Sequence, residues 1–325
     1  MEKINILITS VGRRVSLVKS FQEEIKNLKL SSKIFCTDLD PNLSSACQVV
    51  DKSFKVKEVT DSEYITELIF LCNENKVKLI IPTIDTELLV LARQADEFKK
   101  NGITILVSDL SFIEKCRDKR KIHDFFDSIK FKRALEYSKS EISFPVFIKP
   151  FDGSRSQGIL LINNKRDLTE EILANPRNMF LEYFSPNKYK EFTVDIYFNK
   201  NSEIISVVPR QRIFVRDGEV NKSCVRKNSI IGFVKSKFEN IKGLKGCITL
   251  QVFKHNFNDE IIGIEINPRF GGGYPLSYLA GANFPKWILK EYILDKKVEQ
   301  YCEGWKDNTL MLRYDSEIIV HEYKG

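Results

Sequence analysis

Ile264-Glu265-Ile266-Asn267-Pro268-Arg269-Phe270-Gly271-Gly272-Gly273 reads as a strand that stops at a proline and releases its backbone into glycines. Side chains alternate faces along a strand, so Glu265 and Asn267 share one face while Ile264 and Ile266 point the other way, into a core. Cys247 to Phe253 reads as a second strand, and the turn-rich Asn256-Phe257-Asn258-Asp259 joins the two. A hairpin centred near Asn258 sets Gln251 opposite Glu265. Gln251, Glu265 and Asn267 then offer three oxygen donors on one face of an antiparallel sheet. A few hard oxygen ligands, with the other positions left to phosphate and water, suit Mg²⁺ (or Mn²⁺) better than zinc. An isolated Glu-x-Asn is more often an ordinary half-buried strand. The aligned Gln251, the following Pro268-Arg269 and the glycine run favour a metal and phosphoryl site.

Working upstream, Phe144 to Pro150 is a strand whose Lys149 precedes the loop Phe151-Asp152-Gly153-Ser154-Arg155-Ser156-Gln157-Gly158. Small residues between two glycines let backbone N–H groups approach phosphate oxygens, and such a loop can close as a flap. No Gly-Lys-Ser/Thr opens a helix here, so it is not a Walker A loop, and a hairpin with a flexible tip has the same pattern. Met179 to Phe184 is an apolar strand ending in Glu182-Tyr183-Phe184, whose backbone can face an adenine edge. Glu191 to Phe198 sets Glu191, Thr193 and Asp195 on one face. Glu191 can accept hydrogen bonds from ribose hydroxyls, although an acid facing water fits equally.

Residues 4 to about 108 alternate strand and helix. Ile4 to Thr9 is a short apolar run, followed by the helical stripe Val18, Phe21, Ile25 and Leu28. Ile34 to Cys36, Val77 to Ile81 and Ile103 to Val107 read as further strands, with helices over Tyr64 to Glu74 and Glu87 to Lys99. This is the grammar of a doubly wound parallel sheet. Its first turn, Ser10-Val11-Gly12-Arg13-Arg14, has one glycine where a dinucleotide fingerprint needs three, which argues against NAD with Asp38 on the ribose. Gly12 can still receive an anion, with Arg13 or Arg14 assisting, although a tight strand-to-helix turn with solvated arginines fits equally.

At 325 residues, with 42% hydrophobic and 29% charged side chains, the chain suits a globular protein of two or three lobes. The formal charge of +7 is scattered among 44 acidic residues, so anionic small molecules explain it as well as nucleic acid does, and no nucleic-acid partner is expected. No apolar run approaches a membrane helix and no secretory segment opens the chain, so the expected setting is the cytoplasm. The seven cysteines form no C-x-x-C pair and read as reduced thiols. Nothing in the sequence fixes the oligomeric state, and a homodimer is compatible with it.

Lys149, the Gly-rich loop, Glu182 with Glu191, Gln251 and Glu265-x-Asn267-Pro-Arg269 occur in an order and spacing that resemble the ATP-grasp superfamily, as does Asp118-Lys119. The closest likeness is to free-standing proteins similar to the synthetase domains of the carbamoyl-phosphate synthase large subunit. The resemblance implies a mixed α/β fold: a pre-ATP-grasp domain over 1–109, linker helices and a lid subdomain over 110–185, and a C-terminal subdomain with the metal site over 186–325. It implies that Lys119 and Lys149 contact ATP phosphates, that Gly153, Ser154, Arg155, Ser156 and Gly158 cover them, and that Glu182, Tyr183 and Phe184 form the adenine hinge. Glu191 would bind ribose, Gln251, Glu265 and Asn267 would hold Mg²⁺, and Arg269 would stabilise the transferring phosphoryl group. Arg210, Arg212 and Arg216 supply cations where related ligases clamp the acceptor, and a solvated hairpin is the alternative. The implied activity is ATP-dependent activation of a small carboxylate as an acyl phosphate and its transfer to an amine. A small-molecule kinase or a nucleotide-binding regulatory module on the same scaffold are the rivals. The three histidines, His123, His255 and His321, need no role.

Overall fold

The computed structural model describes residues 4–153, 158–216, 218–300 and 303–323, and these build three sheets. The first contains β1 (Asn5–Thr9), β2 (Ile34–Asp38), β3 (Lys52–Lys55), β4 (Val77–Pro82) and β5 (Thr104–Ile105), all parallel, in the order β3-β2-β1-β4-β5. Helices α1 (Val15–Asn27), α2 (Tyr64–Glu74), α3 (Asp85–Arg93) and α4 (Ala95–Lys100) supply the crossovers. Every residue of β1 is buried, as a central strand covered on both faces must be. The expected helix over 87–99 is two helices, because Gln94 leaves helical torsions (φ −105°, ψ 9°). Strand β5 is shorter than expected, since only Thr104 and Ile105 pair with β4. The edge strand β3, with no apolar run, was not anticipated.

Connections leave β1 in one direction toward β2 and in the other toward β4, so strand order reverses between β1 and β4. The carboxyl ends of strands at such a reversal form a crevice. Here they carry Ser10 to Arg14 and Thr83 to Asp85.

Helices α5 (Leu110–Arg117) and α6 (Lys119–Ser128) lead into a small antiparallel sheet of β6 (Val146–Pro150), β7 (Leu160–Ile162) and β8 (Asn178–Glu182), order β7-β6-β8, with α7 (Glu170–Ala174) in the connection. Asp118 caps α6 by accepting from the Arg120 N–H. The third sheet is antiparallel and contains β9 (Tyr189–Phe198), β10 (Ile204–Arg216), β11 (Glu219–Val225), β12 (Gly246–His255), β13 (Ile261–Asn267) and β14 (Leu310–Leu312), in the order β13-β12-β9-β10-β11-β14. Helices α8 (Ile230–Phe238), α9 (Tyr274–Leu279) and α10 (Phe284–Tyr292) pack around it. One core runs from α1 into this sheet. Phe21 meets Phe270 edge-on at 6.0 Å, and Phe270 in turn meets Tyr274 at 4.7 Å. The chain just after β13 is thereby held against α1 of the N-terminal domain. Six cysteines lie among the described residues, all as free thiols, five of them buried.

Candidate active site

Register decides the metal hairpin. Gln251 pairs with Glu265 and Thr249 with Asn267, and the register slips by one residue just beyond Gln251, a bulge that turns the strand. Gln251 Nε2 donates to Glu265 Oε1 at 2.7 Å and Asn267 Nδ2 donates to the same oxygen at 3.0 Å. Sequence spacing thus brings all three side chains to one point. The donor set fits Mg²⁺: one carboxylate and two amides, each able to present its carbonyl oxygen after a half-turn about its terminal bond. Among the described residues no cluster of three or more His, Cys, Asp or Glu forms. Thr249 Oγ1 donates to the Arg269 carbonyl at 2.9 Å and fixes the chain where it leaves the strand. Ile266 is buried as expected, but Ile264 lines the neighbouring cleft.

That cleft, about 470 Å³ with its open mouth, lies between the small sheet and the β12–β13 hairpin. Lys149, Glu182, Tyr183 and Phe184 line it, together with His123, Phe147, Leu181 and Phe253. Lys149 is only 7% exposed, and burial pulls its ammonium down to about 8; Glu265 opposes that shift and Lys119 adds to it. Lys119 donates through Nζ to the Gly153 carbonyl, which tethers the start of α6 to the Gly-rich loop. Gly158 has φ +71°, a left-handed conformation that a side chain would strain, and a Cβ there would lie 3.0 Å from Pro150. Ser154, Arg155 and Ser156 lie outside the described residues. The Glu182 N–H is taken by the Leu135 carbonyl at 2.8 Å, so the cleft edge is left to Tyr183 and Phe184 beyond the strand end. His123, which the sequence left without a role, is buried in the cleft wall 3.6 Å from Glu136. A histidine on the buried face of an amphipathic helix gives no sign of the cleft it lines, whose other residues come from distant strands.

The cations of β10 differ from expectation. Arg210 is 1% exposed and holds Asp195 with two bonds, Nε to Oδ2 at 2.7 Å and Nη2 to Oδ1 at 3.0 Å. Ser277 Oγ completes the Asp195 shell at 2.6 Å. This guanidinium is thus paired with an internal carboxylate, and its Nη1 is buried without a hydrogen-bond partner. Arg212 Nε lies 2.9 Å from Glu191 Oε1, so the acid expected at the ribose has a cation of its own; burial raises its proton affinity while Arg212 lowers it. Arg216 lies at the exposed end of β10, 3.5 Å from Asp315.

Arg269 reaches across to the N-terminal sheet. Its Nη2 is 2.5 Å from Asp85 Oδ2 at the start of α3, and its Nη1 donates to the Phe270 carbonyl at 3.1 Å. Arg14, from the β1–α1 turn, donates to that same carbonyl at 3.1 Å and to the Thr83 carbonyl at 3.0 Å. Burial, then the nearby Arg269, lowers the Arg14 guanidinium to about 10. Glu219 takes Arg13 at 3.0 Å and Arg313 at 2.8 Å. Asp85, Glu219 and Arg313 escaped the sequence reading, being single charged residues far apart in the chain. Asp38 accepts the Gly12 N–H at 2.8 Å, so it serves the turn itself and that amide is not available to an anion.

Two family models match the chain: "PylC-like, N-terminal domain" over residues 6–106, and "ATP-grasp in the biosynthetic pathway with Ter operon" over residues 176–311. No curated protein matches it significantly. Among solved structures it is similar to the N5-carboxyaminoimidazole synthetase of Staphylococcus aureus complexed with ADP, with 19% identity, TM-score 0.69, and 95% of this chain and 80% of that one covered. It is also similar to a biotin carboxylase–β,γ-ATP complex from Campylobacter jejuni (16%, TM-score 0.71, 95% and 74%) and to an L-amino acid ligase from Bacillus licheniformis (14%, TM-score 0.66, 92% and 76%). At such identities the likeness is one of fold. Residues 176–311 thus form an ATP-grasp region, and the chain has a parallel-sheet N-terminal domain followed by antiparallel sheets. Among its described residues no helix is long and apolar enough to cross a membrane.

Proposed function

We propose that the chain is an ATP- and Mg²⁺-dependent ligase that phosphorylates a small-molecule carboxylate and passes the acyl group to an amine. The observation that carries this is the convergence of Gln251 and Asn267 on one oxygen of Glu265, beside the cleft that Lys149 lines. The adenine would sit in the apolar cleft against Phe147, Leu181 and Phe253, with the backbone of Tyr183 and Phe184 at its edge. Lys149 and Lys119 would meet the phosphates, with Gly153 next to Lys119. Mg²⁺ held by Gln251, Glu265 and Asn267 would supply charge neutralisation at the phosphate oxygens. An oxygen of the acid attacks the γ-phosphorus as ADP leaves, and the amine nitrogen then displaces inorganic phosphate and loses a proton. Phosphoryl transfer of this kind needs positioned charge more than a protein nucleophile, which suits Arg269 next to the metal strand. The folds of the nucleotide complexes reported above support the same assignment.

Glu265→Ala and Asn267→Ala should each cut ADP formation by about a thousandfold or more, with the urea midpoint nearly unchanged. Full turnover in both variants would sink the proposal. Release of inorganic phosphate, rather than a stable phosphorylated product, separates the ligase from a kinase.

A further inference from the structure

The seam between the N-terminal sheet and the end of β13 carries more positive charge than the reaction above uses. Arg14 and Arg269 both donate to the Phe270 carbonyl, Arg313 Nη2 donates to the Gly272 carbonyl at 2.5 Å, and Arg13 and Arg313 share Glu219 Oε2. Three guanidinium groups therefore meet within a three-residue stretch, and Arg13 joins them through Glu219. Two carboxylates face them, Asp85 on Arg269 and Glu219 on the other pair. Arg14 is bonded to backbone carbonyls, and no carboxylate among the described residues closes an ion pair with it. Arg269 Nε is buried and has no hydrogen-bond partner. Arg210 adds nothing to this excess, since Asp195 neutralises it beneath the glycines. An excess of two cations at the strand-order reversal of a parallel sheet is the electrostatic footprint of an anionic ligand.

We propose that this seam seats the acid substrate and that the acid is a dianion. Its reacting carboxylate lies on Arg269, and a second anionic group, a carboxylate or a phosphate-type group, lies on Arg14 with Arg13 and Arg313 at the rim. The proposal rests on the ligase function proposed above and adds the chemical class of its acid.

Sulfate is a dianion of suitable size and serves as the probe, with saturating MgADP present so that the α- and β-phosphate positions are filled, and dependence on Arg14 separates this seat from the γ-phosphate position. Titrated at constant ionic strength, it should raise the Tm of the wild-type chain saturably, where chloride does not. Arg14→Gln should weaken that response at least about tenfold. Because Arg14 also ties Thr83 to Phe270, the rim variant Arg313→Gln provides an independent measure, with a smaller loss expected. Succinate compared with 3-phosphonopropionate identifies the second group, and saturable, Arg14-dependent binding of either supports the seat. No saturable sulfate response in the wild type, or one that both variants leave unchanged, overturns it. MgADP affinity read in the same samples keeps the two proposals apart. MgADP binding without a sulfate response removes the dianion seat alone, and a sulfate response without MgADP binding removes the ATP site alone.

Discussion

Glu265-x-Asn267 on β13 and Arg210-x-Arg212 on β10 are alike as sequence: two polar side chains at two-residue spacing on strands of one sheet. Their fates are opposite. Glu265 and Asn267 meet Gln251 beside an open cleft, whereas Arg210 turns onto Asp195 and is sealed at 1% exposure. The difference lies in the neighbouring strand. On β12 the partner of Glu265 is another polar, uncharged oxygen donor. On β9 the partner of Arg210 is Thr193, and Asp195 two residues further on supplies the matching charge. The carboxylate on β13 meets neutral amides, whereas the guanidinium on β10 meets a full counter-charge and is sealed with it.

The largest expected effect breaks the second region. Arg210→Ala leaves Asp195 buried without its cation, which should cost about 3–5 kcal/mol of stability in urea unfolding. Replacing both members together, Arg210→Met with Asp195→Leu, should recover most of that loss. If Arg210→Ala unfolds normally and instead destroys only acceptor affinity, the contrast between the strands fails. Gly273→Ala tests the same packing, because a Cβ there would run into the Arg210 guanidinium and approach Val220 at 2.6 Å. It should destabilise by about 1–3 kcal/mol, as overpacking does.

Lys149 sharpens the comparison, being a buried cation that does face a cleft. Its folded-state value of about 8 lies below the unfolded 10.5, so burial destabilises the protein wherever both states are protonated, below about pH 8. Between pH 8 and 10.5 the unfolded chain holds the extra proton, and stability should rise with pH through that window. Lys149→Met should therefore stabilise the nucleotide-free protein by about 3 kcal/mol at pH 7, fading toward pH 10.5, while MgATP affinity collapses. A variant that is less stable at pH 7 would show that the ammonium is internally paired after all.

Much of this was legible before any coordinates. The parallel N-terminal unit followed from apolar runs alternating with 3.6-residue stripes, and the Gln251–Glu265 register followed from turn residues and the period of a strand. What stayed hidden depends on partners distant in the chain. Asp85 and Arg269 are 184 residues apart, and Arg14 and Phe270 are 256 apart. No local pattern reports such a meeting. The burial of Arg210 was hidden for the same reason, since alternation along β10 says nothing about the acid on β9.

Glu191 and Arg212 fall between the two regions and carry the smallest expected effect. The pair is half-buried at 2.9 Å, with Thr193 Oγ1 a further 3.4 Å contact of Arg212. If Glu191 accepts from a ribose hydroxyl while Arg212 holds it, the wild type should bind ATP more tightly than 2′-deoxy-ATP or 3′-deoxy-ATP by about 1 kcal/mol, severalfold in Kd. Glu191→Gln should erase most of that preference. Arg212→Ala should reduce it through the freed carboxylate while costing about 1 kcal/mol or less in stability, as a partly exposed ion pair does. Equal discrimination in all three proteins would mean that Arg212 has answered Glu191 as completely as Asp195 answers Arg210, and would move this pair from the cleft to the scaffold.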